Sequence, residues 1–479
     1  MPLVLGVDSS TRATRVEVRD ADDGRLVAVG QAAHPPVRPP RSEQHPNEWW
    51  DALASAISAT GVRDFAALSV AAQQHGLVVL DAAGTVLRPA KLWNDVESAP
   101  EAAALVKHLG AERLARAVGS VPVAAFTLSK LAWLAKHEPR TLAKVATVLV
   151  PHDYLTYRLT GRFVTDRGDA SGTGYWSPFE ERWRTDVLER VLGQQGVGWA
   201  HKLPTVLGPG DPSDWVSASV HEKLGLRGRP LCAAGTGDNM AAALGVAMAP
   251  GDVTMSLGTS GTVYALAERP TADVTGTVAG FADATGRHLP LVCTLNATEV
   301  TDAIARLLGV DQDGLARLAM AAPAGARGAV VVPYFNGERT PNRPYATGAI
   351  AGLRTSVERS DVARAAFEGV VCGLLEGLDA LDAVGVDCSG QLSLIGGGAR
   401  SSAYRRVVAD LSQREVVVPG GDDHVATGAC VQAAAVLHET TPEEVAVTWE
   451  LGGGEVIEPD DRVDADGVRA HYAAARGRE

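Results

Sequence analysis

Apolar and polar positions alternate at the start of the chain in the manner of a meander. Leu3 to Val7 is a short apolar run of strand length, small polar residues follow from Asp8 to Thr14, and Arg15-Val16-Glu17-Val18-Arg19 alternates with period two. A turn at Asp22-Asp23-Gly24 leads to a third strand, Leu26 to Val29. A proline-rich stretch, Pro35 to Pro46, then crosses to a helix that starts near Pro46-Asn47 and carries Trp49, Trp50 and Leu53. Leu68 to Ala71 and Leu77 to Leu80 read as further strands.

The second half repeats this opening. Two apolar strands, Val253 to Leu257 and Thr262 to Leu266, flank the small-residue turn Gly258-Thr259-Ser260-Gly261. Helices are expected over about Ser360 to Ala383, Ser402 to Leu411 and Val425 to Leu437, with a strand at Leu392 to Ile395. The repeat suggests duplication of one α/β unit, with a boundary between Leu231 and Val253, and predicts domains over 1–240 and 241–479. A chain of 479 residues is in any case too long for one hydrophobic core.

Composition narrows the function classes. Apolar residues make up 46% and charged residues 21%, an ordinary globular balance. The net charge of −13 argues against a nucleic-acid partner, although a local field can still receive a polyanion such as a nucleotide. Cys232, Cys293, Cys372, Cys388 and Cys430 form no Cys-x-x-Cys pair, which suggests reduced thiols and a cytoplasmic protein. The N-terminus lacks the pattern of a secretory signal, and no run approaches the roughly 18 apolar residues of a membrane span.

The commonest nucleotide motifs are absent. No lysine follows a glycine, which excludes a Walker loop, and no Gly-x-Gly-x-x-Gly follows the first strand. What remains are small-residue turns at strand ends: Asp8-Ser9-Ser10-Thr11, Leu257 to Gly261, and Ile395-Gly396-Gly397-Gly398-Ala399-Arg400. Small residues let backbone N–H groups approach phosphate oxygens, and an acid beside such a turn, as Asp8 is, can hold Mg²⁺ through water. Each turn alone is more often an ordinary connection; three together, two at equivalent places in a repeat, point to phosphate. Gly235-Thr236-Gly237-Asp238-Asn239 is a fourth such turn, between an apolar strand, Leu231 to Ala234, and a small-residue helix, Ala241 to Ala247. On position alone Asp238 is more often a helix N-cap than a catalyst. Gln74, His75 and Trp93 offer amide, imidazole and indole groups suited to a sugar, although a histidine or tryptophan there is as often structural.

These segments together resemble the FGGY carbohydrate kinases of the actin/hexokinase superfamily. The resemblance is carried by Gln73-Gln74-His75-Gly76, Leu92-Trp93-Asn94-Asp95, Thr127-Leu128-Ser129-Lys130, Pro151-His152-Asp153-Tyr154-Leu155, Gly337-Glu338-Arg339-Thr340-Pro341 and Gly396-Gly397-Gly398-Ala399-Arg400. It runs from Leu3 to about Leu437, and within the family the sugar loop is most similar to the branch that phosphorylates D-xylulose. The resemblance implies two duplicated actin/hexokinase-like (ribonuclease H-like) α/β domains with a cleft between them, the first sugar-binding and the second nucleotide-binding. It implies ATP and Mg²⁺ as cofactors, a small sugar as substrate and a possible homodimer. Residue by residue it makes Asp238 the catalytic base and Asp8 the acid serving the metal and phosphates. Gln74, His75, Trp93 and Asn239 fall to the sugar, and Thr11, Gly258, Thr259, Gly398 and Ala399 to the nucleotide. Three positions depart from the family pattern: Gln74 stands where methionine is frequent, Ser10 where the phosphate turn usually has glycine, and Ala125 where the first family pattern expects an aromatic residue, glycine, serine or methionine.

Overall fold

The computed structural model describes residues 2–37, 40–343 and 345–477. The chain forms two compact α/β units. The first comprises Met1–Ala247, Glu268–Leu289 and Asp423–Leu451; the second comprises Met248–Ala267, Pro290–Asp422 and Gly452–Glu479.

The first unit is built on a seven-stranded sheet. Its strands are β1 (Leu3–Ser9), β2 (Ala13–Asp20), β3 (Leu26–Ala33), β4 (Ala67–Ala72), β5 (Pro212–Trp215), β6 (Leu231–Ala233) and β7 (Thr236–Gly237). The order is β5-β6-β4-β1-β2-β3, with β7 also paired to β4. β1 runs antiparallel to β2, from Leu3 opposite Asp20 to Ser9 opposite Thr14, and parallel to β4, with Asp8 opposite Ala71. Every residue of β4 is buried, as expected of a central parallel strand covered on both faces. The helix Pro46–Ala59 starts where its proline and capping signals place it. The His45 side chain accepts from the Asn47 N–H, Glu48 reaches back to the His45 N–H, and Trp49, Trp50 and Leu53 are buried.

The second unit repeats the pairing scheme. Its strands are β8 (Val253–Leu257), β9 (Gly261–Ala265), β10 (His288–Thr294), β11 (Leu392–Ile395), β12 (Val416–Pro419) and β13 (Gly454–Ile457), in the order β10-β9-β8-β11-β12-β13. β8 is antiparallel to β9 and parallel to β11, as β1 is to β2 and β4. The duplication read from the sequence is therefore a duplication of sheet topology. Long helices cover this sheet, among them Arg359–Ala383 and Ser402–Ser412.

Two helices of the first unit fix the geometry that matters most. Asp238–Gly245 starts three residues earlier than the apolar pattern indicated and ends two residues sooner. It packs against His424–His438, a helix from late in the chain whose small residues allow very close approach. A Cβ at Gly428 would lie 1.8 Å from the Ala241 carbonyl oxygen, and one at Gly245 would lie 2.0 Å from that of His424. The same late helix lies against β1, where a Cβ at Gly6 would meet the Ala426 oxygen at 2.1 Å. Any side chain at these three glycines would push the helices apart.

Candidate active site

In the first unit, Asp8 stands at the end of β1 and Asp238 at the first turn of the helix Asp238–Gly245. The N-cap of that helix is Gly237, which makes no side-chain cap, so Asp238 lies inside the helix rather than capping it. Its Oδ1 accepts from the Asn239 backbone N–H at 2.8 Å and from Asn239 Nδ2 at 2.9 Å. Asn239 Nδ2 also donates to Gln74 Oε1 at 3.0 Å. An ionised carboxylate only accepts, so Asp238 fixes the amide of Asn239, and Asn239 in turn fixes that of Gln74. Gln74 is left with a buried, unpartnered Nε2. Burial, with the negative charge of Asp169 behind it, pushes the Asp238 carboxyl up to about 7.

Asp8 is raised well above the usual carboxylate range, first by loss of water and then by the charges of Asp423 and Asp238. Arg15 opposes this; it sits opposite Asp8 on β2 and reaches Asp423 at 3.4 Å. Asp8 Oδ1 is buried without a hydrogen-bond partner. An orphaned carboxylate oxygen among mutually repelling acids suits a hard divalent cation, which would supply the missing positive charge. Asp423 was not foreseen as part of this group. It caps the helix His424–His438, accepting from the Ala426 N–H, and the Asp422-Asp423 pair ahead of a small-residue helix was its only trace in the sequence.

The sugar-loop residues are held by their neighbours. His75 is buried with a left-handed backbone, φ 65°. Its Nδ1 lies 2.7 Å from the Gly172 carbonyl, which can only accept, so Nδ1 must carry the proton donated there. The ring stacks on Phe126 at 5.0 Å, and its own carbonyl accepts from Thr127 Oγ1 and Lys130 Nζ. Thr11 is bound into the same group. Its hydroxyl accepts from Trp93 Nε1 at 2.9 Å and donates to Gln73 Oε1 at 3.0 Å. The turn after β1 is thereby tied to the loop after β4, and the Ser10 hydroxyl closes the turn on the Ala13 carbonyl. Asp8, Thr11, Gln74, His75, Trp93, Asp238 and Asn239 thus all belong to the first unit.

Gly258, Thr259, Gly398 and Ala399 belong to the second. Gly258 and Thr259 follow β8, and their carbonyls accept from the Thr298 and Ala297 N–H groups. In the glycine run after β11, Gly396 has φ 86° and a Cβ there would lie 2.7 Å from the Leu257 oxygen. Gly398 and Ala399 are buried against this strand end, whereas Gly396 and Gly397 are exposed and nothing lies within 4 Å of a Cβ built at Gly397. The open backbone of this turn is thus at Gly396 and Gly397.

A separate acidic group, Glu43, Asp95 and Glu97, has the spacing of a metal site. Lys91 Nζ reaches all three, at 3.3, 3.1 and 2.5 Å, so an ammonium group already occupies the cation position. None of the five cysteines is in a disulfide, and no helix among the described residues is long and apolar enough to cross a membrane.

Known proteins place this arrangement in a family. Residues 3–245 match the N-terminal domain, and residues 253–437 the C-terminal domain, of the FGGY family of carbohydrate kinases. The xylulose kinase of Streptomyces rubiginosus is 47% identical over 464 residues, covering 96% of this chain and 93% of that protein. That of Haemophilus influenzae is 34% identical, with 90% of each chain covered. The crystal structure of xylulose kinase from Bifidobacterium adolescentis is similar with a TM-score of 0.86 and 41% identity, covering 99% of both chains. The chain belongs to the FGGY family of carbohydrate kinases.

Proposed function

We propose that this chain transfers the γ-phosphoryl group of ATP to D-xylulose, giving D-xylulose 5-phosphate. The choice of sugar is supported by relatives named xylulose kinase at up to 47% identity over nearly the whole length. The chemistry is carried by one observation: a carboxylate, Asp238, left out of helix capping and raised to about 7.

Phosphoryl transfer requires positioning, neutralisation of charge and an acceptor for the proton of the attacking hydroxyl. Asp238 takes that proton from the terminal hydroxyl of the sugar. Asn239, held on Asp238, positions Gln74 beside the sugar, where Gln74 Nε2 offers an amide donor, His75 an imidazole and Trp93 an apolar face. Asp8 would hold Mg²⁺, which when bound would neutralise part of the charge of the phosphates. Thr11 fixes the turn after β1, and Gly258, Thr259, Gly398 and Ala399 shape the turns that receive the nucleotide. On this reading the first unit binds the sugar, the second binds ATP, and the enzyme works in the cytoplasm.

A coupled ADP-release assay across xylulose, ribulose, fuculose, gluconate and glycerol tests the substrate. Xylulose should give a kcat/KM at least about tenfold above the others, which corresponds to one good hydrogen bond. A higher value for any other sugar would overturn the assignment while leaving the kinase chemistry intact.

A further inference from the structure

The segment Gly337-Glu338-Arg339-Thr340-Pro341 carries an acid to which the transfer reaction gives no part. Glu338 is buried, and three donors converge on its carboxylate. Oε1 accepts from the Leu295 N–H at 2.6 Å and from the Arg339 N–H at 2.7 Å, and Oε2 accepts from Asn296 Nδ2 at 2.9 Å. Asn296 is as deeply buried and ties the same two segments again. Its Nδ2 also donates to the Gly337 carbonyl at 2.6 Å, and its Oδ1 accepts from the Asn336 N–H at 3.2 Å. A carboxylate has two acceptor oxygens and no donor, so it holds all three groups at once. A side-chain amide has one acceptor oxygen and does not.

The loop that Glu338 grips backs the turns proposed to receive the nucleotide. Asn296 is followed by Ala297 and Thr298, the N-cap and first residue of the helix Thr298–Leu308. Their N–H groups donate to the Thr259 and Gly258 carbonyls, each at 3.1 Å. Thr298 also touches the glycine run, where a Cβ at Gly398 would lie 3.1 Å from its Cγ2. A turn that receives phosphate must keep its carbonyl oxygens away from the anion and its N–H groups available. Here two carbonyls of the turn are occupied by the loop, whereas the N–H groups of Thr259 and Ser260 have no acceptor among the described residues. All of these residues lie in the second unit.

We propose that Glu338 is a positioning residue for the nucleotide: its carboxylate fixes the loop 295–298, which holds back the carbonyls of Gly258 and Thr259 and leaves the N–H groups of that turn to the phosphates. On this account Glu338 touches neither substrate. It rests on the reading of Gly258 and Thr259 as a phosphate turn.

Glu338→Gln keeps the size of the side chain and removes one acceptor. Its oxygen can hold the Leu295 and Arg339 N–H groups only by turning its NH2 group against Asn296 Nδ2, donor facing donor. The loop should loosen, and KM for ATP should rise about tenfold, with KM for xylulose unchanged and kcat within about threefold of the wild type. The ADP dissociation constant, read by calorimetry, should rise by the same factor. A purely structural role would lower the melting temperature and leave KM for ATP and the ADP affinity of the folded protein as in the wild type; that result overturns the proposal. Should the variant not fold, hydrogen exchange of the wild-type protein decides. ADP should slow exchange at 258–261 and also at Leu295 and Arg339, the two backbone amides on Glu338. Protection of the turn with none at these two amides refutes the proposal. Failure of the underlying reading has a different signature: ADP would protect nothing at 258–261, and Gly258→Val would bind ADP as the wild type does.

Discussion

The two strand–turn–strand openings share a backbone plan and differ in chemistry. In the first unit, β1 carries Asp8 one residue before its end, pairs antiparallel with β2, and lies parallel to β4. In the second, β8 ends on Leu257, pairs antiparallel with β9, and lies parallel to β11. The first turn has an acid with an orphaned oxygen and a hydroxyl committed to Gln73 and Trp93. The second has no acid, and its neighbour is a glycine run with exposed backbone. Duplication kept the strand pairing, which the sheet requires, and left the turns free to diverge. One copy gathers carboxylates, and the other leaves backbone open at Gly396 and Gly397.

That contrast can be broken most severely at Asp8. Asp8→Asn removes the charge proposed to serve the metal and should lower kcat by about two orders of magnitude or more with excess Mg²⁺ present, measured in the ADP-release assay. A loss of only a few-fold would mean that the acid of the first turn has no special part. The second turn should respond in stability more than in chemistry. Gly396→Ala forces a Cβ into the Leu257 backbone at a φ of 86° and should cost about 1–3 kcal/mol, read as a lowered melting temperature. Gly397→Ala, with open space around it, is the control and should leave the melting temperature nearly unchanged. Equal losses in the two variants would contradict the close packing of Gly396 on β8.

Much of this was legible in the sequence. The period-two alternation of Arg15–Arg19, the apolar run of β1 and the Pro46 start of the first long helix are local signals, and each led to the right element. The start of the helix at Asp238 was placed too late, because apolar periodicity begins only at Ala241, whereas the backbone turns helical as soon as Gly237 permits it. The return of Asp423–Leu451 to the first unit left no local mark, since it depends on glycine-to-backbone contacts between segments far apart in sequence. The Glu338 group was hidden for the same reason. Gly337-Glu338-Arg339 and Leu295-Asn296 are separate stretches of the sequence, and only the fold brings their donors around one carboxylate. Asp423 was likewise invisible as a neighbour of Asp8, whereas Asp238 and Asn239 are adjacent in one turn and were singled out by the family resemblance.

The central claim is that the Asp238 carboxylate accepts the proton of the sugar hydroxyl. Its most direct test is single-turnover phosphoryl transfer by Asp238→Ala, with ATP binding measured on the same preparation. The account predicts a folded variant that binds ATP as the wild type does and transfers at least about a hundredfold more slowly. Near-normal transfer by that variant would contradict it.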